Sequence, residues 1–215
     1  PVHTHGSLIE RAVLTKCDDD PMRPVRKGGV LKYVNRFSYA TLDPLASTAP
    51  AVLKNEQELF LILSGAGRLI AGKQDIELRE GVFCMVPPNI SFTITNTGVE
   101  PLTLYLVVEP TPPGFRPNTE VFVRDERTTP FAVSDSHWVN AFKHLIEPKD
   151  GLADLQMVLT VYLYPNTFAQ PHSHIPKCEE VWVLMEGDGH VLLGKHIRKL
   201  EPGTAYLIPP NDKVW

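Results

Sequence analysis

The chain has 215 residues, a formal net charge of −4 and 43% apolar residues. That composition supports one large or two small cored domains. It offers no dense Lys/Arg cluster for nucleic acid, and no apolar run approaches the roughly 20 residues of a membrane span. Cys17, Cys84 and Cys178 are widely spaced and odd in number. They form no disulfide framework and fit a reducing, cytoplasmic compartment. Because residue 1 is Pro rather than Met, a processed, exported form stays open.

Residues 1–28 mix polar and apolar positions without a clear period and read as an N-terminal arm. Ser7-Leu8-Ile9-Glu10 has the spacing of a capping box and predicts a short helix. His3 and His5 alternate in this arm, where disorder is the default expectation unless the arm packs on a barrel or reaches a neighbouring site. From about Gly29 to Pro110 the pattern changes to short apolar strands. Leu59–Leu63 and Val82–Val86 are core strands bounded by Gly and Pro, with Cys84 a buried hydrophobe. Gly72-Lys73 predicts a hairpin turn. Residues 111–121, rich in Pro, are a stiff linker.

Residues 122–215 repeat the first unit. Glu58 to Asn89 aligns without a gap on Glu180 to Asn211, at a constant offset of about 122 residues. Gly65 falls on Gly187, Gly67 on Gly189, Gly72-Lys73 on Gly194-Lys195, and Pro87-Pro88-Asn89 on Pro209-Pro210-Asn211. Glycines and prolines punctuate turns, so their shared register marks a duplication. Strand signals every 8–12 residues predict all-β sandwich or barrel units.

The second unit carries the chemistry. His172 and His174 alternate, so on a strand both side chains leave the same face. A reversal through Ile175-Pro176-Lys177 brings Glu180 back beside them. Two imidazoles and one carboxylate suit a first-row divalent metal, although isolated histidine pairs are also common on surfaces. Tyr162, Tyr164, Gln170 and Trp182 are candidate pocket walls. Glu179 is a candidate general base or a partner to the metal ligands. Cys178 is either a further ligand or a turn residue. In the first unit Pro50 and Val52 stand at the repeat positions of the two histidines, and Glu58 alone is kept.

This pattern resembles the cupin superfamily, specifically a two-domain bicupin. The first family motif corresponds to Asn166-x5-His172-x-His174-x5-Glu180-x6-Gly187, and the opening of the second to Gly203-x5-Pro209-x-Asn211-x2-Val214. Asn166 and Asn211 replace glycines, and Asn tolerates positive φ. The H-x-H to Glu180 interval is one residue longer than usual. Val214 stands where the second motif has its histidine, so a histidine beyond Trp215 or a three-ligand site is expected. The resemblance implies two tandem cupin (double-stranded β-helix, jelly-roll) barrels, the second incomplete within this sequence. It implies a divalent transition metal (Fe, Mn, Ni or Zn) in the second barrel only, and a homodimer. The expected function is a metal-dependent enzyme acting on a small polar or carboxylate-bearing molecule, of dioxygenase, decarboxylase, isomerase or aminohydrolase type. A non-catalytic small-molecule sensor or a structural bicupin is the alternative.

Overall fold

The structure is a computed structural model that describes residues 1–17, 25–133, 140–169, 174 and 176–209. Its first half contains β1 (Val2–Thr4), β2 (Leu8–Lys16), β3 (Gly29–Leu31), β4 (Arg36–Leu42), β5 (Ala51–Val52), β6 (Glu56–Ser64), β7 (Ala66–Ala71), β8 (Gln74–Arg79), β9 (Val82–Val86), β10 (Ser91–Asn96), β11 (Leu102–Pro110) and β12 (Phe122–Asp125). The second half contains β13 (Ala132–Val133), β14 (Asn140–Ile146), β15 (Val158–Leu163), β16 (Glu180–Val183), β17 (Gly189–Leu193), β18 (His196–Leu200) and β19 (Ala205–Ile208). Among the described residues the only helix is a single 3-10 turn at Pro148–Asp150. None is long and apolar enough to cross a membrane. The chain is all-β, as the strand spacing predicted.

Two sheets build the first half. The larger runs β1-β2-β4-β11-β6-β9-β12, with β3 beside β2; the smaller runs β5-β10-β7-β8. Strand β11 shows why they stack. Leu102, Leu104, Leu106 and Val108 alternate with polar and aromatic residues, and all four are fully buried. They meet Phe60, Ile62, Leu69, Phe92 and Ile94 in one apolar core between the sheets. The other face of β11 carries Tyr105 and Val107, which join Val181, Val183, Ala205 and Leu207 of the second half around a cluster of Leu14, Leu31, Val34 and Phe37. Burial on both faces explains the nearly continuous apolar runs of β6 and β9.

Local turn chemistry follows the residues. Gly65 has φ +90, and a Cβ there would lie 2.7 Å from the Pro101 carbonyl oxygen, so only glycine fits. Asn166 has φ 60, so the Gly-to-Asn replacement keeps its left-handed turn.

Two expectations are corrected. Ser7–Glu10 forms no helix: Leu8–Lys16 is a strand hydrogen-bonded to β4. Its alternation of Leu8, Glu10 and Leu14 inward had the strand period, which prevails over the capping-box spacing. The arm packs on the first half, the alternative to disorder, because β1 pairs with β2 and β2 with the main sheet. Strand β12, expected with the second copy, hydrogen-bonds to β9 and so completes the sheet of the first half.

The pairing registers repeat through the chain. Glu58 opposes Val86 in β6–β9, and Glu180 opposes Ile208 in β16–β19. Gly67 opposes Leu78 in β7–β8, and Gly189 opposes Leu200 in β17–β18. Adding about 122 to each number of the first pair yields the second, the offset read from the sequence repeat. By the same offset β15 corresponds to β4, and Thr160 and Tyr162 stand where Ser38 and Ala40 stand.

Candidate metal centre and barrel interior

Alternation along β16 separates its carboxylates. Glu180 and Trp182 share one face, and Glu179, just before the strand, points to the other. The turn at Pro176-Lys177, with Lys177 at φ 67, returns the chain so that Glu180 meets His174. His174 Nε2 lies 2.7 Å from Glu180 Oε2, and Cys178 Sγ lies 3.5 Å from His174 Nδ1. Glu180 Oε2 is buried, with His174 Nε2 as its ion-pair partner. Such a convergence of two donor atoms suits adjacent ligands on one ion: with bonds of about 2.1 Å, neighbouring vertices of an octahedron stand about 3 Å apart. His172 and Gln170 lie outside the described residues. Among those described, no cluster of three His, Cys, Asp or Glu side chains is present.

Glu179 is placed away from this pair. Its carboxylate accepts backbone N–H bonds from Lys32 (2.8 Å), Tyr33 (2.8 Å) and Val34 (3.3 Å), the segment leading into β4. A reciprocal contact crosses the other way. Buried Glu109 accepts the backbone N–H groups of Ala153 (3.1 Å), Asp154 and Leu155, the segment leading toward β15, and an N–H of Gln57 at 2.6 Å. Gln57 stands at the repeat position of Glu179. Each half therefore holds the corresponding loop of the other through a carboxylate that accepts backbone N–H groups. These contacts were not legible in the sequence, because the partners are separated by 44 to 147 residues.

The remaining predicted wall residues divide. Tyr162 donates its hydroxyl to Glu126 at 2.6 Å. Tyr164 is 59% exposed and lines no buried surface. Trp182 stacks on Tyr206, its cross-strand partner, with ring centroids 6.4 Å apart and planes 2° from parallel. The indole Nε1 is buried with no hydrogen-bond partner among the described residues. Burial and the nearby Glu180 charge push the Tyr206 hydroxyl up to about 12, so it remains a donor at neutral pH.

Sequence reading missed Tyr206, Lys143 and Glu126. Lys143 Nζ sits 3.0 Å from Glu126 Oε1, donates to the Glu126 carbonyl at 2.9 Å, and lies 4.7 Å from the Phe131 ring centre. Burial alone would raise the Glu126 carboxyl, but hydrogen bonds from Tyr162 and Lys143 outweigh it and hold it below the usual range. Burial and the Glu126 contact push Tyr162 up to about 12. The available signal was the repeat itself. It sets Tyr206 opposite Cys84 and Tyr162 opposite Ala40, polar side chains replacing members of an apolar core.

The first half shows what became of its own site. Glu58 is fully buried, with His5 Nε2 at 2.9 Å and Arg36 at 3.2 Å. Arg36 also reaches Glu10 at 2.6 Å, and Ser38 donates to the same carboxylate at 2.7 Å. The His5 ring stands edge-on to Phe92 at 5.3 Å. Arg36, and His5 when protonated, thus offset the surviving carboxylate. Val52 is 51% exposed, and among the described residues no group of three metal-ligating side chains surrounds Glu58.

Residues 38–108 match the family model described as Cupin domain. No curated protein matches the chain. Among solved structures, a Pseudomonas aeruginosa protein described as a "Putative Glyoxylate Induced Protein" is similar at 17% identity, with a TM-score of 0.72 over 94% of this chain and 70% of that one. Protein Ylba from E. coli is similar at 12% identity and TM-score 0.51, over 96% of this chain and 84% of that one. YhaK from Escherichia coli is similar at 14% identity and TM-score 0.50, over 94% and 85%. At such identities the likeness concerns fold. Residues 38–108 form a cupin domain, and the chain has the cupin fold.

Proposed function

We propose that the second half of this cupin-fold chain is a second barrel of the same kind, and that it holds a divalent transition metal for chemistry on a small carboxylate-bearing molecule. The observation that carries this reading is the contrast between Glu58 and Glu180. They stand at the same register position of equivalent strand pairs. Glu58 is neutralised from within the chain by His5 and Arg36. The counterpart of Arg36 is Val158, which brings no charge, and Glu180 converges instead on His174. Glu180 Oε2 is buried although its side chain is 31% exposed, and an ion held between it and His174 would balance the charge. His172, expected on the same face as His174, would be the third ligand.

A divalent ion held there would supply Lewis acidity and open positions for a substrate oxygen. The protein supplies the rest. Glu179 anchors the chain just before β16 to the first half, which fixes where Glu180 projects. The Lys143–Glu126 pair holds a positive group already balanced by a carboxylate. Tyr162, held by Glu126, presents its ring rather than a free hydroxyl.

The test is metal content of the purified full chain and of two variants. His174→Ala is expected to lose the metal, and Glu58→Ala to keep it at parent stoichiometry. Less than about a tenth of an equivalent in the parent, after reloading at neutral pH, would overturn the reading, because a site of this donor type retains metal. Equal loss in both variants would remove the site from the second half.

A further inference from the structure

We infer that Trp182 and Tyr206 form a donor pair that binds a carboxylate or carbonyl oxygen of a small anionic molecule beside Glu180. The inference deepens the function proposed above and rests on it for the neighbouring ion, but its evidence is separate.

Trp182 is two residues from Glu180 on β16, so both leave the same face of the strand. Its Nε1 is buried and has no hydrogen-bond partner among the described residues. An indole N–H can only donate, so the missing partner must be an acceptor. Tyr206 lies directly across the strand pair and stacks on the indole. Its hydroxyl makes no hydrogen bond among the described residues either. The two neighbouring donors stand on the strand pair that carries Glu180, whose Oε2 is taken by His174.

The matching pair in the first half shows that the fold does not require these donors. Phe60 opposes Cys84 in the same register, and both are buried in a closed apolar core. Phe and Cys fill that space without an acceptor. The second half replaces both with residues that keep an aromatic or larger body and add a donor. Their ligand must bring the oxygen. A divalent ion held by His174 and Glu180 would leave a net positive charge, which favours an anion over a neutral molecule. A carboxylate can place one oxygen on this pair and present the adjoining functional group to the ion.

The experiment uses glycolate as probe and glycolamide as its neutral isostere. Both are titrated by ligand-observed NMR into the zinc-loaded and the chelator-treated full chain, with zinc uptake measured in parallel. Trp182→Phe reproduces the first-half residue, removing the donor together with part of the ring; Tyr206→Phe removes only the hydroxyl. Each is expected to weaken glycolate about tenfold while leaving zinc affinity within about threefold of the parent. Glycolate affinity unchanged in both variants that still take up zinc would overturn the subsite and leave the metal reading intact. Glycolamide binding as tightly as glycolate, or no glycolate binding by the parent, would overturn the anionic ligand. No zinc uptake with glycolate binding still sensitive to Trp182→Phe would sink the metal reading and uphold the subsite.

Discussion

Replacing Glu109 by Gln should loosen the contact between the two halves. The Glu109 carboxylate is fully buried and accepts three backbone N–H groups from residues 153–155 plus one from Gln57. Hydrogen bonds to a charged acceptor contribute about 1.5–3 kcal/mol each, and neutral ones about 0.5–1.5. Neutralising the acceptor therefore costs about 1 kcal/mol for each of the three backbone bonds. The amide also turns an NH2 toward Gln57, whose Nε2 now donates to Glu109 and to the Gly151 carbonyl. Gln57 can flip, because its Oε1 makes no hydrogen bond, but it then loses Gly151. Against these losses stands relief of the desolvation of a buried charge. The net expectation is a loss of about 2 kcal/mol. With a urea slope of about 2 kcal/mol per molar, the unfolding midpoint should fall by about 1 M. Equilibrium urea unfolding followed by tryptophan fluorescence measures it. A fall below about 0.2 M would refute the view that this carboxylate holds the second half against the first.

Two further outcomes are expected. The His5 pKa is raised from 6.5, chiefly by its hydrogen bond to Glu58 and against the effect of burial. A raised folded value means that this contribution is fully present below pH 6.5 and is lost as pH climbs through the folded value. His5→Ala should therefore flatten the decline in thermal midpoint between about pH 6 and pH 8, and an unchanged slope would show that His5 does not carry it. Burial pushes the Cys84 thiol up to about 12. A disulfide reagent at pH 8 should modify partly exposed Cys17 and Cys178 at least tenfold faster than Cys84, read by peptide mass spectrometry. Equal rates would mean that the first-half core opens readily.

Much of the strand framework was legible because its signals are local. Val82–Val86 was read as a core strand and is one, buried at every position. Gly72 and Gly194 turn their hairpins at positive φ, as the Gly-Lys pairs predicted. The constant spacing between repeats anticipated even the cross-strand registers. The arm was misread because Ser7 and Glu10 have helix-start spacing, and nothing local reports that β4 offers an edge for pairing. Of the expected ligands, His174 and Glu180 are brought together. Glu179 is not with them, since alternation along the strand sends it to the opposite face.

The sequence by itself determined the all-β class, the internal repeat and the residue types available for metal chemistry. Hydrophobic period, turn glycines and self-similarity are properties of short windows, so they survive without coordinates. Tertiary structure alone decided what each carboxylate faces. Glu58 meets His5 across 53 residues of chain, and Glu179 meets Lys32 across 147. It also decided that Trp182 and Tyr206 stand together with unused donors beside Glu180. Contacts of that range depend on how sheets stack and which strand edges pair, and no local pattern encodes them.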